Sequence, residues 1–403
     1  MQQQPSLSLT DDDRFDRFRR ISWWDQDKLA KAKIVVIGAG ALGNEILKNL
    51  ALLGVGKLFV ADLDRIETSN LSRSILFRQR DEGRAKAQAA AEAVKDINPD
   101  ARAQWFHGDV VHELGLGVYH WADLVIAGLD NREARLWINR CCWKTNTPWV
   151  DGATEILQGV VRVFVPPDGP CYECTMSAAD WKVLKNERRS CAGLRPAQAE
   201  QGRVPTTPVT ASVVAALECQ EALKFLHGLE VLAGRGLVLD GLTNDFYVVR
   251  YNAQQDCNSH DTWEQIVPLE EGAGQVTVRT LLQMAEARLG KGTILELSQD
   301  ILTAFHCPRC DVSEDVFRPR GAVSEWAARC PRCGQDRRVE STQSVQGSEP
   351  FLDRSFAALG IPPYDIVVAR RGLARLAFEF EGDASAVLGP AYQPAELGKG
   401  GAS

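Results

Sequence analysis

Four charged side chains in the first third of the chain have the types and spacing to do chemistry: the acids Asp62 and Asp130 and the cations Arg73 and Lys86. They follow Gly38-Ala39-Gly40-Ala41-Leu42-Gly43, where glycines between a strand and a helix let the backbone approach phosphates. Alone, that run is a weak signal shared by many nucleotide folds. Asp62-Leu63-Asp64 then falls where an acid that holds a ribose is expected. A plain dinucleotide site could stop there. This chain continues through Ile66-Glu67-Thr68-Ser69-Asn70-Leu71-Ser72-Arg73, then Lys86 opening an alanine-rich helix, then Leu129-Asp130-Asn131 after an apolar strand. Two fixed cations and an extra acid suit ATP with Mg²⁺ better than NAD. Their charge is already aimed where negative charge builds on a departing pyrophosphate.

Thiols form the second set. Cys307-x₂-Cys310-x₁₉-Cys330-x₂-Cys333 has zinc-ribbon spacing, and Cys171-x-x-Cys174 can turn two thiolates onto one tetrahedral centre. Sites closed by four protein ligands leave no open position for water, so two structural zinc sites are expected. Cys141, Cys142 and Cys219 fall in apolar helical stretches and read as small buried hydrophobes. Cys191 differs. It lies in Glu187-Arg188-Arg189-Ser190-Cys191-Ala192-Gly193, with Arg195 close behind, and nearby guanidinium groups pull a thiol below its ordinary pKa of about 8.5.

Positioning these groups needs a sheet. Strand patterns over 33–37, 57–61, 124–127, 149–150 and 159–165 alternate with helix patterns over 41–53, 84–97 and 132–146. That alternation predicts an α/β fold, a Rossmann-like doubly wound, mostly parallel sheet. A charged arm (1–32) precedes it, the domain runs over 33–262, and an Arg/Gln/Gly/Pro-rich crossover loop spans 179–208. A smaller zinc-containing α+β C-terminal domain follows over 263–388, then a flexible tail over 389–403. The 403 residues carry a net charge of −7, which argues against nucleic-acid binding driven by phosphate attraction. Eleven cysteines, an odd number, argue against a disulfide framework, and no apolar run approaches membrane-spanning length. A soluble cytoplasmic protein with no membrane or nucleic-acid partner is expected.

Taken in order, Arg14-Phe15-Asp16-Arg17, the glycine run, Asp62 through Arg73, Leu76-Phe77-Arg78, Lys86, Leu129-Asp130-Asn131 and Cys171-Tyr172-Glu173-Cys174 resemble the ubiquitin-activating-enzyme superfamily, which includes the ThiF, MoeB and HesA sulfur-carrier activators. The resemblance covers roughly residues 14–262. It implies ATP-dependent adenylation of the C-terminal glycine of a ubiquitin-like protein. By that resemblance Gly38, Gly40 and Gly43 cradle the nucleotide and Asp62, with Asp64 beside it, holds the ribose. Asn70, Arg73 and Lys86 bind phosphates, Asp130 holds Mg²⁺, and Arg17 reaches the γ-phosphate, often in a partner subunit, which implies a homodimer. Ser74 departs from the usual Gln, weakening one polar contact while leaving the charges intact. Cys257 and His260 complete the first zinc site, His260 standing where the family commonly has a cysteine. Cys191 fits the position of the nucleophile that forms a thioester and passes the acyl group to a conjugating enzyme.

Residues 275–305 faintly resemble the C-terminal ubiquitin-fold domain that recruits such an enzyme; a stability element or a dimer contact is the alternative. The compact single chain also looks like the activating enzymes of bacterial ubiquitin-like conjugation operons. Adenylation ending in thiocarboxylate formation on a sulfur carrier is the main competing function, although no rhodanese loop is recognisable. An NAD-dependent oxidoreductase leaves Arg73, Lys86 and Asp130 unexplained. A non-catalytic zinc scaffold predicts no role for Asp130.

Overall fold

Strand β1 (Lys33–Ile37) runs through the middle of a large sheet, and its side chains alternate between two cores. Ile34 and Val36 enter one, Val35 and Ile37 the other, as expected of a strand covered on both faces. The structure, a computed structural model, describes residues 13–187, 194 and 205–393. The first twelve residues of the arm, the crossover around Cys191 and the end of the tail fall outside the described residues.

In chain order the first unit comprises α1 (Gln26–Lys31), β1, α2 (Ala41–Leu53), β2 (Lys57–Asp62), α3 (Lys86–Ile97), β3 (Arg102–His107), α4 (Gly117–Trp121), β4 (Leu124–Ala127), α5 (Arg132–Lys144), β5 (Trp149–Glu155), β6 (Gln158–Phe164), α6 (Tyr172–Thr175), α7 (Ala178–Glu187), α8 (Pro208–Leu226), β7 (Arg235–Asp240) and β8 (Asp245–Arg250). The strand order is β3-β2-β1-β4-β5-β6-β7-β8. The four pairings from β3 to β5 are parallel. The three beyond β5 are antiparallel. Helices α2, α3 and α8 cover one face, and α4 and α5 the other. The parallel-rich, doubly covered α/β sheet is therefore present. Among the described residues no helix is long and apolar enough to cross a membrane.

Three local expectations are corrected. The 179–208 segment does not begin as a loop, because α7 occupies its start. The Asp180 carboxylate accepts from the Ser177 amide at 2.9 Å and the Ser177 hydroxyl from the Asp180 amide at 3.2 Å, a reciprocal cap, while Leu184 is buried. Strand 149–150 extends to Glu155, since an antiparallel hairpin with β6 holds it through Glu155 opposite Gln158. Strand β3 was not foreseen. Helix α5 stops at Lys144, with Asn146 left-handed at φ +56°.

A second sheet contains β9 (Ile266–Pro268), β10 (Ile294–Cys307), β11 (Val312–Pro319), β12 (Arg338–Val345), β13 (Ile366–Arg371) and β14 (Ala374–Glu379), with helix α9 (Val278–Leu289) against it. Its order is β11-β10-β13-β14-β9, with β12 also paired to β10. This unit does not merely touch the first. Tyr364, Ile366, Val368 and Leu388 share one buried cluster with Val35, Val125 and Trp143.

Helix α8 carries one unusual group under the sheet. Glu218 is fully buried, and a Cβ at Gly152 would lie 2.3 Å from its carboxyl. Neither Glu218 oxygen has a hydrogen-bond partner among the described residues. Burial pushes this carboxyl well above the ordinary glutamate range, with the Asp151 charge adding to the effect. Because the folded pKa is raised, the wild type loses stability as pH climbs from the unfolded value of about 4.3 towards the folded one, by up to about 1.4 kcal/mol per unit. Glu218→Gln removes that loss. Thermal melts at pH 5 and pH 8 should show the variant's advantage growing with pH; an advantage that is flat or shrinks would mean Glu218 is not held protonated.

Candidate active site

The strand order reverses direction between β1 and β4, and a cleft of about 2400 Å³ opens at their carboxyl ends. The glycine turn builds its floor. Gly38 has φ +94°, and a Cβ there would sit 2.5 Å from the Gly128 carbonyl oxygen. Gly43 lets the first turn of α2 press against that turn, since its Cβ would lie 1.8 Å from the Gly38 oxygen. Gly40 is different: it lines the cleft, and a Cβ there would meet nothing within 4 Å. Two of the glycines therefore fit strand to helix, and one leaves open space.

The cleft brings together Gly38, Gly40, Asp62, Asp64, Asn70, Arg73, Lys86 and Asp130, while Gly43 stands behind it. Asp62, at the end of β2, accepts hydrogen bonds from the Ala39 amide at 2.6 Å and the Asp64 amide at 2.7 Å. Burial raises its carboxyl pKa, and the Lys86 charge and the two amides pull it partly back. Lys86, at the first position of α3, meets Asp64 at 2.8 Å; the lysine side chain is only 12% exposed, while Asp64 is half exposed. Asn70 is buried; its side-chain oxygen accepts from the Glu67 amide at 3.0 Å, closing the short turn over 68–70. Arg73 reaches back to the Ser69 carbonyl at 2.8 Å, which tethers a guanidinium that lines the cleft. Ser74 is buried at the cleft wall.

Asp130 could have served only to cap α5. It does not: Asn131 is the cap, its side-chain oxygen accepting from the Ala134 amide at 2.7 Å. That leaves the exposed Asp130 carboxylate facing the cleft.

Arg17 is not brought there. The arm lies across the far ends of the helices, with Arg14 bonded to Asn98 at 3.0 Å beyond α3, and Trp23 and Trp24 against His227 beyond α8. These are the helix C-termini, at the opposite edge of the sheet from the cleft. Cys191 lies outside the described residues.

A buried charge network beside the cleft was missed in the sequence. Arg135 donates to Asp151 at 2.8 Å, to the Gly152 carbonyl at 2.9 Å and to the Leu129 carbonyl. Arg162 meets the same Asp151 at 2.8 Å and lies 5.1 Å from the Tyr172 ring. Two guanidinium groups thus share one buried carboxylate, and both arginines line the cleft. The only available signal was the five-residue spacing of Arg135 from Asp130, which alone means little.

Both thiol sets converge. Cys171, Cys174, Cys257 and His260 place their ligand atoms within 4.8 Å of one another, as do Cys307, Cys310, Cys330 and Cys333. Thiolates about 2.3 Å from a tetrahedral zinc stand about 3.8 Å apart. The sulfurs of Cys171 and Cys174 are 3.7 Å apart, those of Cys171 and Cys257 3.5 Å, and Cys174 is 3.5 Å from His260 Nε2. In the second set the separations are 3.7 Å for Cys307 to Cys333 and 4.0 Å for Cys310 to Cys330. Both donor sets fit zinc. Around the first, the Tyr172 amide bonds Asn139 at 2.9 Å, Ser259 donates to the buried Glu173, and the His260 ring stacks on Trp143 at 4.7 Å. Such outer contacts orient metal ligands.

A Rossmann-like α/β sheet with a charged cleft at its switch point defines the class. The chain belongs to the ThiF family, which it matches over residues 13–259. It is 33% identical over 267 residues to the SAMP-activating enzyme E1 of Haloferax volcanii, covering 62% of this chain and 90% of that protein. It is likewise 33% identical over 258 residues to the sulfur carrier protein adenylyltransferase of Thermus thermophilus, covering 62% and 90%. Among solved structures, Escherichia coli MccB with ATP is similar at TM-score 0.52 and 22% identity, covering 62% of this chain and 75% of that one. That last likeness shows the fold. The family match ends before β9, so the second sheet lies outside it.

Elemental analysis of the purified chain should find one zinc per donor set. Cys257→Ser should lose one equivalent, and Cys333→Ser the other. Full metal content in both variants would show that the convergent donors do not bind zinc.

Proposed function

We propose that this chain activates the C-terminal glycine of a ubiquitin-like protein with ATP and Mg²⁺, captures it as a thioester on Cys191, and passes it to a conjugating-type enzyme. The observation that carries the reading is the gathering of Asp62, Asn70, Arg73, Lys86 and Asp130 on one cleft beside the open Gly40 turn. In the first step a carboxylate oxygen of the terminal glycine attacks the α-phosphorus of ATP. An acyl-phosphate bond forms as the bond to the β-phosphate oxygen breaks, and pyrophosphate leaves. Arg73 and Lys86 would meet the charge that builds on the departing phosphates, and Lys86 would exchange Asp64 for the nucleotide. Asp62 would accept the ribose hydroxyls and Asp130 would hold Mg²⁺, which supplies further charge compensation. In the second step the Cys191 thiolate attacks the acyl carbon and AMP departs.

Two further features suit a protein substrate acting on an assembly. The arm's position at the far edge of the sheet is compatible with Arg17 serving the cleft of a second copy, hence a homodimer. Strand β8 is an edge strand whose Phe246, Tyr247 and Val248 are all exposed, an apolar surface of the kind that meets another protein. Two names support the general activity: the Haloferax relative is called a SAMP-activating E1, and the Thermus relative a sulfur carrier protein adenylyltransferase. The second of these also favours the alternative, in which the same adenylate goes on to a thiocarboxylate.

Asp130→Asn should lower ATP–pyrophosphate exchange by about 10²-fold or more while the melting temperature holds. Unchanged exchange would exclude Asp130 from the chemistry. Cys191→Ala should keep exchange but abolish a thiol-sensitive adduct between the enzyme and its ubiquitin-like substrate. An adduct that survives places the nucleophile elsewhere.

A further inference from the structure

The outer end of the cleft, beside Asp62, is made by the segment that leaves β3. The Gly108 amide donates to the Asp62 carbonyl at 3.3 Å, and Gly108, Asp109, Val110, Val111, His112 and Leu116 line the cleft. This segment has little regular structure of its own: Val111 and Glu113 fold back on Asp109, and α4 begins only at Gly117. What holds it comes from the second sheet. His112 Nδ1 lies 2.8 Å from the Gln299 side-chain oxygen, and the Gln299 amide nitrogen donates to the His112 carbonyl at 3.3 Å. The fully buried Asp365 accepts from the Leu116 amide at 2.9 Å through one oxygen and from the Ser298 hydroxyl at 2.9 Å through the other. The Gly117 amide donates to the Tyr364 carbonyl at 2.9 Å. Close approach is demanded on both sides: a Cβ at Gly321 would lie 2.5 Å from the His112 ring, and one at Gly115 2.5 Å from the Tyr364 oxygen.

Ser298 and Gln299 also line the cleft themselves. They sit where the pairing of β10 slips, between Glu296 and Ile301, so the irregularity turns polar side chains towards the first unit instead of continuing the ladder.

We propose that the C-terminal module is a working part of the nucleotide site: it holds the 108–117 wall in place, with Gln299 and Asp365 as positioning residues for ATP. The inference rests on the reading of the cleft as an ATP site. It assigns a role in nucleotide binding to a module that lies beyond the ThiF match. A wall fixed by four hydrogen bonds is pre-organised, so less ordering has to accompany nucleotide entry.

The test uses the full-length chain and ATP with Mg²⁺, titrated calorimetrically. Gln299→Ala should weaken ATP binding about fivefold to tenfold, as loss of a paired hydrogen bond would. Asp365→Ala should weaken it at least as much, and Asp365→Asn, which keeps an acceptor for the Leu116 amide, should restore most of the loss. Amide exchange should rise in 108–117 in the Gln299 variant and stay unchanged in α2, a pattern that general destabilisation would not give. Should Asp365→Ala fail to fold, the Gln299 variant decides alone. A wild type that binds ATP together with a Gln299→Ala chain that binds it equally well would overturn the inference and leave the site assignment standing. A wild type that binds no ATP would overturn both.

Discussion

The cleft depends on the Asp62 carboxylate. At the end of β2 it takes the amide of Ala39 from the glycine turn with one oxygen and the amide of Asp64 with the other. That single group ties the end of one parallel strand to the turn that follows its neighbour and orients the chain leading to Lys86 through Asp64. A carboxylate can do this in a half-dry place because both oxygens are met by donors and a cation stands near. Without it the glycine turn would keep only its ties to Asn44 and to the backbone of Ala61, and the Lys86–Asp64 pair would lose its anchor.

Much of this was readable because local rules govern it. Strand β1, helix α2 and the end of β2 follow from an apolar run, three glycines and an acid at the expected distance. The convergence of Cys307, Cys310, Cys330 and Cys333 follows from their spacing. Strand β3 escaped because Arg102, Gln104 and His107 break up any apolar run; it is an edge strand paired through its backbone to β2. Helix α7 escaped because its stability comes from a cap at Ser177 and burial of Leu184, not from a strong periodic face. The Arg135–Asp151–Arg162 network could not be read, since a buried aspartate in a strand looks like any polar residue until two arginines from other elements reach it. The contact between His112 and Gln299 joins residues 187 apart, and nothing local announces it.

With zinc bound, the two donor sets would do different mechanical work. One would pin the short helix α6 to the segment just before β9, closing the chain that carries α7, α8, β7 and β8 at a single point. The other would clip the far end of β10 to the knuckle before β12, in a region whose buried core among the described residues is small: Leu302, Phe305, Val323 and Ala328, together with Leu194. A small cluster of this size gains more from cross-linking than from added apolar contact.

Strand β8 has a consequence for handling the protein. Among the described residues it ends the sheet, leaves one row of backbone donors and acceptors without a neighbouring strand, and shows aromatic side chains on both faces. An apolar sheet margin of this sort is a template for pairing with any extended chain that reaches it. Asp245 and Arg250, at either end, are its only charged members. Concentrated on its own, the chain therefore carries in that margin a built-in route to self-association.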